Sequence, residues 1–160
     1  SRWCIWGKKG TELGLYPKEK PDGYSYMPVS LDWSGYSYTQ TIILAVGGKE
    51  NLNATEQEGY PATYYAVVDY EKNKAQAPSG SSGWFLPSIG QLWKIYDLRS
   101  VLFAPESVAT DLRYDNYWSS SEDDEKPAED VFYFRMHRDH KWRLCSKDYR
   151  NCYVRPVLAF

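Results

Sequence analysis

The amino-acid sequence predicts an α+β fold, with helices in the N-terminal part of the chain and strands in the C-terminal part. Apolar residues recur at helical spacing between residues 39 and 96, whereas aromatic and β-branched residues dominate the segments after residue 117. Helices that precede a run of strands are typical of this architecture. Seven Trp and fifteen Tyr among 160 residues also predict a core of aromatic rings, each of which buries on the order of 150–250 Å².

The first half of the chain contains two strand candidates and two predicted helices. Residues 2–6 and 26–31 have the composition of strands. Residues 39–46 are predicted to form a short helix that ends at a pair of glycines. A second helix is predicted from Pro61, which suits a first helical turn, to about residue 70.

The clearest helix signal begins at Ser88. This residue is a typical N-cap, and Gln91 follows three residues later, which is the spacing of a capping box. One face of the helix is expected to be buried because its apolar residues recur at i, i+3, i+4 and i+7. They are Ile89, Leu92, Trp93 and Tyr96.

Four strands are predicted after this helix, and they carry most of the expected framework. They span residues 117–121, 131–136, 141–145 and 153–160. An Arg among apolar neighbours needs a carboxylate, so Arg155 is expected to pair with Glu122. Three tryptophans are expected in the core: Trp84, Trp93 and Trp118.

The length predicts a single domain that spans residues 1–160, because no repeat or long linker divides the chain. A net charge of −2 argues against a nucleic-acid partner. No apolar stretch reaches the roughly 18–20 residues of a membrane span, so no membrane insertion is expected. The cysteines Cys4, Cys145 and Cys152 leave open a disulfide between the last two or three separate thiols.

Residues 137–152 form a polar tract between predicted strands, with almost no apolar periodicity. Such a tract on a rigid scaffold is typical of a protein that binds a partner rather than one that catalyses a reaction. Six basic residues in and beside the tract are compatible with a partly anionic ligand. They are Arg135, Arg138, Lys141, Arg143, Lys147 and Arg150.

The sequence predicts no catalytic residue, no metal and no cofactor. The Ser119–Ser121 run lacks the context of an activated nucleophile. His137 and His140 would point in different directions on a strand or turn, which disfavours a shared zinc ion. The acidic run at residues 122–125 could hold calcium, but it lacks the signatures of calcium-dependent sugar binding.

Several segments occur in a characteristic order. They are Val29-Ser30-Leu31-Asp32, Trp33-Ser34, Tyr60-Pro61-Ala62, Gly83-Trp84-Phe85-Leu86-Pro87-Ser88-Ile89-Gly90-Gln91-Leu92, Tyr117-Trp118-Ser119-Ser120-Ser121-Glu122 and Val154-Arg155-Pro156-Val157. Together they resemble a domain family found at the C termini of collagen-like bacterial adhesins and in surface proteins of gut Bacteroidetes, particularly the variable proteins of diversity-generating retroelements. The resemblance implies a C-type-lectin-like fold with two main helices, antiparallel sheets and paired N- and C-terminal strands.

The same resemblance implies a ligand-binding surface within residues 133–152, where the variable proteins carry their diversified side chains. Transferred residue by residue, the candidates are Tyr133, His137, Arg138, Asp139, His140, Arg143, Asp148, Tyr149, Arg150 and Asn151. Many of these are residue types that arise when the adenines of an Asn codon mutate: Asn, Asp, His, Tyr, Ser, Arg and Cys. Three other residues do not fit this codon pattern and are expected to be fixed positions: Lys141, Trp142 and Lys147.

The expected function is an adhesin-like or receptor-like module, not an enzyme, that binds a protein or glycan outside the cell or at its surface. A phage particle is the alternative location. A structural role as a fibre-tip or assembly subunit stays open, with the tract contacting a sister protein. A third hypothesis is an oxidoreductase related to the formylglycine-generating enzymes, which requires a reactive thiol of low pKa at Cys145 or Cys152.

Overall fold

The computed structural model describes residues 3–19, 21–23, 28–104, 115–136, 142–150 and 152–160. Over these residues the fold is α+β, with helices followed by a three-stranded antiparallel sheet. The predicted fold class and order of elements are therefore confirmed at this level. None of the helices in the described ranges combines the length and apolar character needed to cross a membrane.

Helix α1 spans Gly35–Ala45 and begins earlier than its apolar pattern predicts. Its first residue has no room for a side chain, because a Cβ on Gly35 would lie 2.2 Å from the Gln91 side chain. Helix α2 covers residues 61–73 and contains a central π-helical segment at Tyr65–Asp69. Both helices were predicted, but neither the early start nor the π segment was.

Helix α3 spans Ile89–Asp97, and the short helix α4 follows at Arg99–Leu102. The capping box at Ser88 and Gln91 is present, which confirms the predicted start. The predicted buried face is also confirmed in outline. Ile89, Leu92 and Tyr96 are buried, and Trp93 is half-buried.

The sheet consists of β1 (Asn116–Glu122), β2 (Asp130–Arg135) and β3 (Trp142–Ser146), in the order β1-β2-β3. Alternate side chains of β2 enter two different apolar clusters. Val131 packs in a cluster with the N-terminal segment, and Phe134 packs in a cluster with α3. The sheet therefore separates the two parts of the core.

Two fully buried indoles connect the N-terminal segment to β1. The indole N–H of Trp6 donates to the Ser119 carbonyl at 2.8 Å, and that of Trp118 donates to the Cys4 carbonyl at 2.9 Å. Trp118 is thus a core residue, as predicted. Trp84 is only half-buried, so it is less buried than predicted.

The terminal segments contact each other but do not form continuous strands. Single bridges join Cys4 to Cys152 and Phe85 to Val157, where we expected strands at residues 2–6 and 153–160. Pro156 has no N–H to donate, which interrupts a ladder at the C-terminal segment. The strand predicted at residues 26–31 is wrong for its described part, residues 28–31, because Val29–Leu31 is a 3-10 helix.

Candidate interaction surface on β3 and the following turn

Strand β3 is at the edge of the sheet, and β2 is its partner strand within the described residues. The register pairs Phe132 with Leu144 and Phe134 with Trp142. Trp142 and Leu144 therefore project from the same face of the sheet, since paired residues share a face. They are 37% and 42% exposed, and the Trp142 ring lies 5.5 Å from that of Phe132. We call Phe132, Trp142 and Leu144 the β3 strip.

The opposite face of β3 turns towards the core. Arg143 is paired with Tyr133, and Cys145 is paired with Val131. The ring of Tyr133 packs edge-on against Trp118 at 6.1 Å, and burial raises the pKa of the Tyr133 hydroxyl. Tyr133, a predicted ligand-binding residue, thus supports the core.

A tight turn follows β3 and presents three of the predicted contact residues to solvent. The Tyr149 N–H donates to the Ser146 carbonyl at 3.0 Å, which closes the turn. Asp148, Tyr149 and Arg150 are exposed. The Ser146 hydroxyl donates to Asp148 at 2.5 Å and holds the pKa of that carboxyl below its ordinary value, aided by the charge of Lys9.

Lys147, in the same turn, points in the opposite direction. Its ammonium group donates to the Glu122 carboxylate and to the Thr11 carbonyl, both at 2.7 Å. The Glu122 carboxylate also accepts the backbone N–H groups of Leu13 and Leu15, at 3.2 and 3.0 Å. Both side chains of this ion pair are 0% exposed. The pair fixes the turn to β1 and to the N-terminal segment.

Glu122 was predicted to pair with Arg155, and that prediction was wrong. Lys147 occupies the site instead, with its ammonium group 4.9 Å from the Trp6 ring. The Arg155 guanidinium lies over the ring of Phe103 at 5.5 Å. Lys147 was expected to be a fixed position, and its burial agrees with that, but it adds no charge to a basic surface.

The remaining predicted contact residues lie partly within and partly outside the residues that the structure describes. Arg150 forms an ion pair with Glu56, which lies before α2. Arg143 lies on β3 and is half-buried. Five predicted contact residues lie outside the described residues: His137, Arg138, Asp139, His140 and Asn151. Lys141, which was expected to be a fixed position, lies outside them as well.

The three cysteines are all described, and none is joined in a disulfide. Cys4 and Cys152 are buried, and Cys145 is half-buried in the same cluster. Burial, aided by the charge of Asp130, raises the pKa of Cys145 to about 11, and burial also raises the pKa of Cys152. A reactive thiolate needs the opposite shift, which argues against the oxidoreductase hypothesis.

The acidic run shows no arrangement that suits a metal ion. Within the described ranges, no three His, Cys, Asp or Glu side chains are grouped to hold one. The carboxylate of Glu122 is occupied by Lys147 and backbone N–H groups. Asp123 is buried, and burial raises the pKa of its carboxyl.

Comparisons with known proteins find a structural likeness but no sequence match. No family model and no curated protein matches the sequence. A fimbrial protein from Bacteroides ovatus ATCC 8483, solved at 1.85 Å, has a similar structure with a TM-score of 0.64 and 16% sequence identity. The match covers 100% of this chain and 34% of the fimbrial chain. The chain thus spans about a third of that protein, and the likeness establishes a shared α+β fold.

Proposed function

We propose that this chain is a non-enzymatic domain of a cell-surface protein, with a structural or assembly role of the fimbrial type. The observation that carries the proposal is the structural match over the whole chain to part of a fimbrial protein. This role is the alternative that the sequence left open. The extracellular or surface location and the single-domain organisation of residues 1–160 belong to the same proposal.

The β3 strip is the surface that best suits contact with a partner protein. Edge strands normally carry charges or prolines that prevent association with other chains. Here the outward face of the edge carries Trp142 and Leu144, which are more than one-third exposed. Tryptophan is enriched at the energetic centres of protein interfaces. The composition and exposure of the strip therefore favour binding to another polypeptide.

A small ligand fits this surface less well. The cavity that touches Phe132 has a volume of about 20 Å³, which is room for a single water molecule. Exposed apolar side chains beside so small a cavity suit a broad protein surface better than a small molecule.

The proposal is tested with antibodies against the purified domain and a strain of the source organism that produces it. We expect the antibodies to label intact cells and the protein to be released with filaments when the cells are sheared. A double variant, Trp142→Ser with Leu144→Asn, should be lost from the filament fraction. Leu44→Asn, which alters another exposed leucine on α1, should be retained. Protein confined to the cytoplasm would overturn the proposal.

A second candidate is a ligand-binding module with a C-type-lectin-like fold, as the sequence resemblance implies. The separation of roles in the turn after β3 supports it. Lys147 is anchored in the interior, whereas Asp148, Tyr149 and Arg150 are exposed beside it. A binding protein that tolerates many contact residues requires such fixed and exposed neighbours.

Population sequencing of the gene tests this second candidate. We expect substitutions to concentrate at residues 148–150 and at the other predicted contact positions, with Lys147 and Glu122 unchanged. Substitutions spread evenly over the chain would contradict a diversified binding face. They would indicate that the protein binds one dedicated partner instead.

A further inference from the structure

A groove lies along α3, α4 and the C-terminal segment, and it shares no residue with the β3 strip. Its volume is about 240 Å³. One wall is a stripe of side chains from α3 and α4, whose positions recur at i, i+3, i+4, i+7 and i+11. They are Gln91, Lys94, Ile95, Leu98 and Leu102. The facing wall includes Phe85, Val157 and Leu158.

The stripe changes from polar to apolar along its length. Gln91 and Lys94 lie at one end, and three aliphatic side chains from Ile95 to Leu102 form the rest. At helical rise, the seven residues from Gln91 to Leu98 correspond to about 10 Å, and Leu102 follows in α4. The groove thus has a cation and an amide at one end, and the rest of this wall is apolar.

The polar end has hydrogen-bond donors to offer. The side-chain oxygen of Gln91 accepts the Ser88 N–H at 2.9 Å, which leaves the NH₂ group as the donor of this amide. Lys94 is exposed, and no ion pair to it occurs among the described residues. Trp33 is 52% exposed at the groove, and its indole N–H is held by the Ser30 carbonyl at 3.0 Å. Trp33 therefore contributes an exposed aromatic side chain to the lining of the groove.

We propose that this groove binds an anionic amphiphile, with a carboxylate at Lys94 and Gln91 and an aliphatic chain along Ile95, Leu98 and Leu102. An ammonium and an amide donor complement a carboxylate, and bonds to a charged group are stronger than neutral ones. The aliphatic stripe, with Leu98 39% exposed, gains by burying its apolar surface against the chain of the ligand. The volume of about 240 Å³ lies below that of pockets for drug-sized ligands, which suits a small amphiphile.

Binding of decanoate, measured by calorimetry below its micelle concentration, tests the proposal. Lys94→Gln should weaken binding about tenfold, since a hydrogen bond to a charged group is lost. Leu98→Asn should weaken it at least about tenfold because it removes apolar contact from the groove. Lys72→Gln and Leu44→Asn change exposed residues of α2 and α1 and should bind as the wild type does.

The proposal also predicts that neutral 1-decanol binds more weakly than decanoate, by a factor similar to the loss in Lys94→Gln. Thermal unfolding of each variant checks that the fold is intact. The absence of binding by decanoate would overturn the proposal, as would equal binding of both compounds. Sedimentation adds a further test. Self-association that Leu98→Asn disperses would mean that a second copy occupies the groove, which would also overturn it.

Discussion

The ammonium group of Lys147 lies 2.7 Å from the carboxylate of Glu122, and both side chains are fully excluded from solvent. An ion pair in the interior persists only when further hydrogen bonds complete its coordination. Here the Thr11 carbonyl and the N–H groups of Leu13 and Leu15 provide them. The pair attaches the turn after β3 to the rest of the core. Neighbouring residues in that turn can therefore be exposed without loosening the fold.

Removing one partner of this pair should destabilise the protein strongly. We expect Lys147→Ala to lower the free energy of unfolding by about 3–5 kcal/mol, because Glu122 is left as an uncompensated buried charge. Urea denaturation at neutral pH measures the change. Lys8→Ala is the control, since it breaks an exposed pair with Glu58 and should cost less than about 1 kcal/mol. Equal effects in the two variants would show that the buried pair is not a main attachment of the turn.

Asp32 should make stability depend on pH. Its carboxylate is buried and accepts the Ser121 hydroxyl at 2.6 Å, and burial raises its pKa. The folded state then keeps the proton to a higher pH than the unfolded state, whose pKa is about 3.9. The contribution of Asp32 to stability therefore falls as pH rises between the two values.

The variant Asp32→Asn lacks this titration. We expect its free energy of unfolding, relative to the wild type, to improve as the pH rises above about 4. Asp148→Asn should instead improve relative to the wild type as the pH falls below about 4, because the pKa of Asp148 is lowered in the folded state. If the free energy of unfolding depends on pH in the same way for the wild type and Asp32→Asn, the pKa of Asp32 is not raised in the folded state.

The thiols should be slow to react in the folded protein. The pKa of Cys145 is raised to about 11, so at pH 8 its thiolate fraction is roughly two orders of magnitude below that of an ordinary cysteine. Alkylation by iodoacetamide, followed by mass spectrometry, should modify Cys145 slowly and the buried Cys152 more slowly still. Titration in denaturant should find three thiols. Rapid alkylation of the native protein would revive the oxidoreductase hypothesis.

Gly90 should resist substitution although it lies in a helix. Alanine normally stabilises a helix by about 1 kcal/mol relative to glycine. A Cβ on Gly90, however, would lie 2.3 Å from the Asp32 carbonyl oxygen. We expect Gly90→Ala to lower the free energy of unfolding by about 1–3 kcal/mol, because overpacked sites force the backbone apart. Thermal denaturation shows whether Gly90→Ala is less or more stable than the wild type. A more stable variant would mean that α3 and the segment at Asp32 move apart easily.

Local signals in the sequence predicted the parts of the fold that depend on neighbouring residues. The capping box at Ser88 and Gln91 is complete within three residues, and the structure contains it. The partner of Glu122 was not predictable in this way. Lys147 is separated from it by 25 residues and lies in a polar tract, where a lysine is ordinarily exposed.

The candidate surface was predicted in position but not in detail. The tract was located by its lack of apolar periodicity, and residues 148–150 are exposed as expected. Trp142 was assigned to fixed positions, and Leu144 was not considered. The alternation of residues 142–146 could have indicated that Trp142 and Leu144 share one face of a strand. Sequence does not show which strand is at an edge, and that position is what exposes the two side chains.

Photo-crosslinking from residue 144 tests the proposed assembly role most directly. A photoreactive amino acid replaces Leu144 in one strain and Leu44 in a matched strain, since both leucines are exposed. Irradiation of intact cells should join position 144 to one defined surface protein or to a sister copy, and position 44 should give no such product. Identical products from both positions, or none from position 144, would contradict a docking role for the β3 strip.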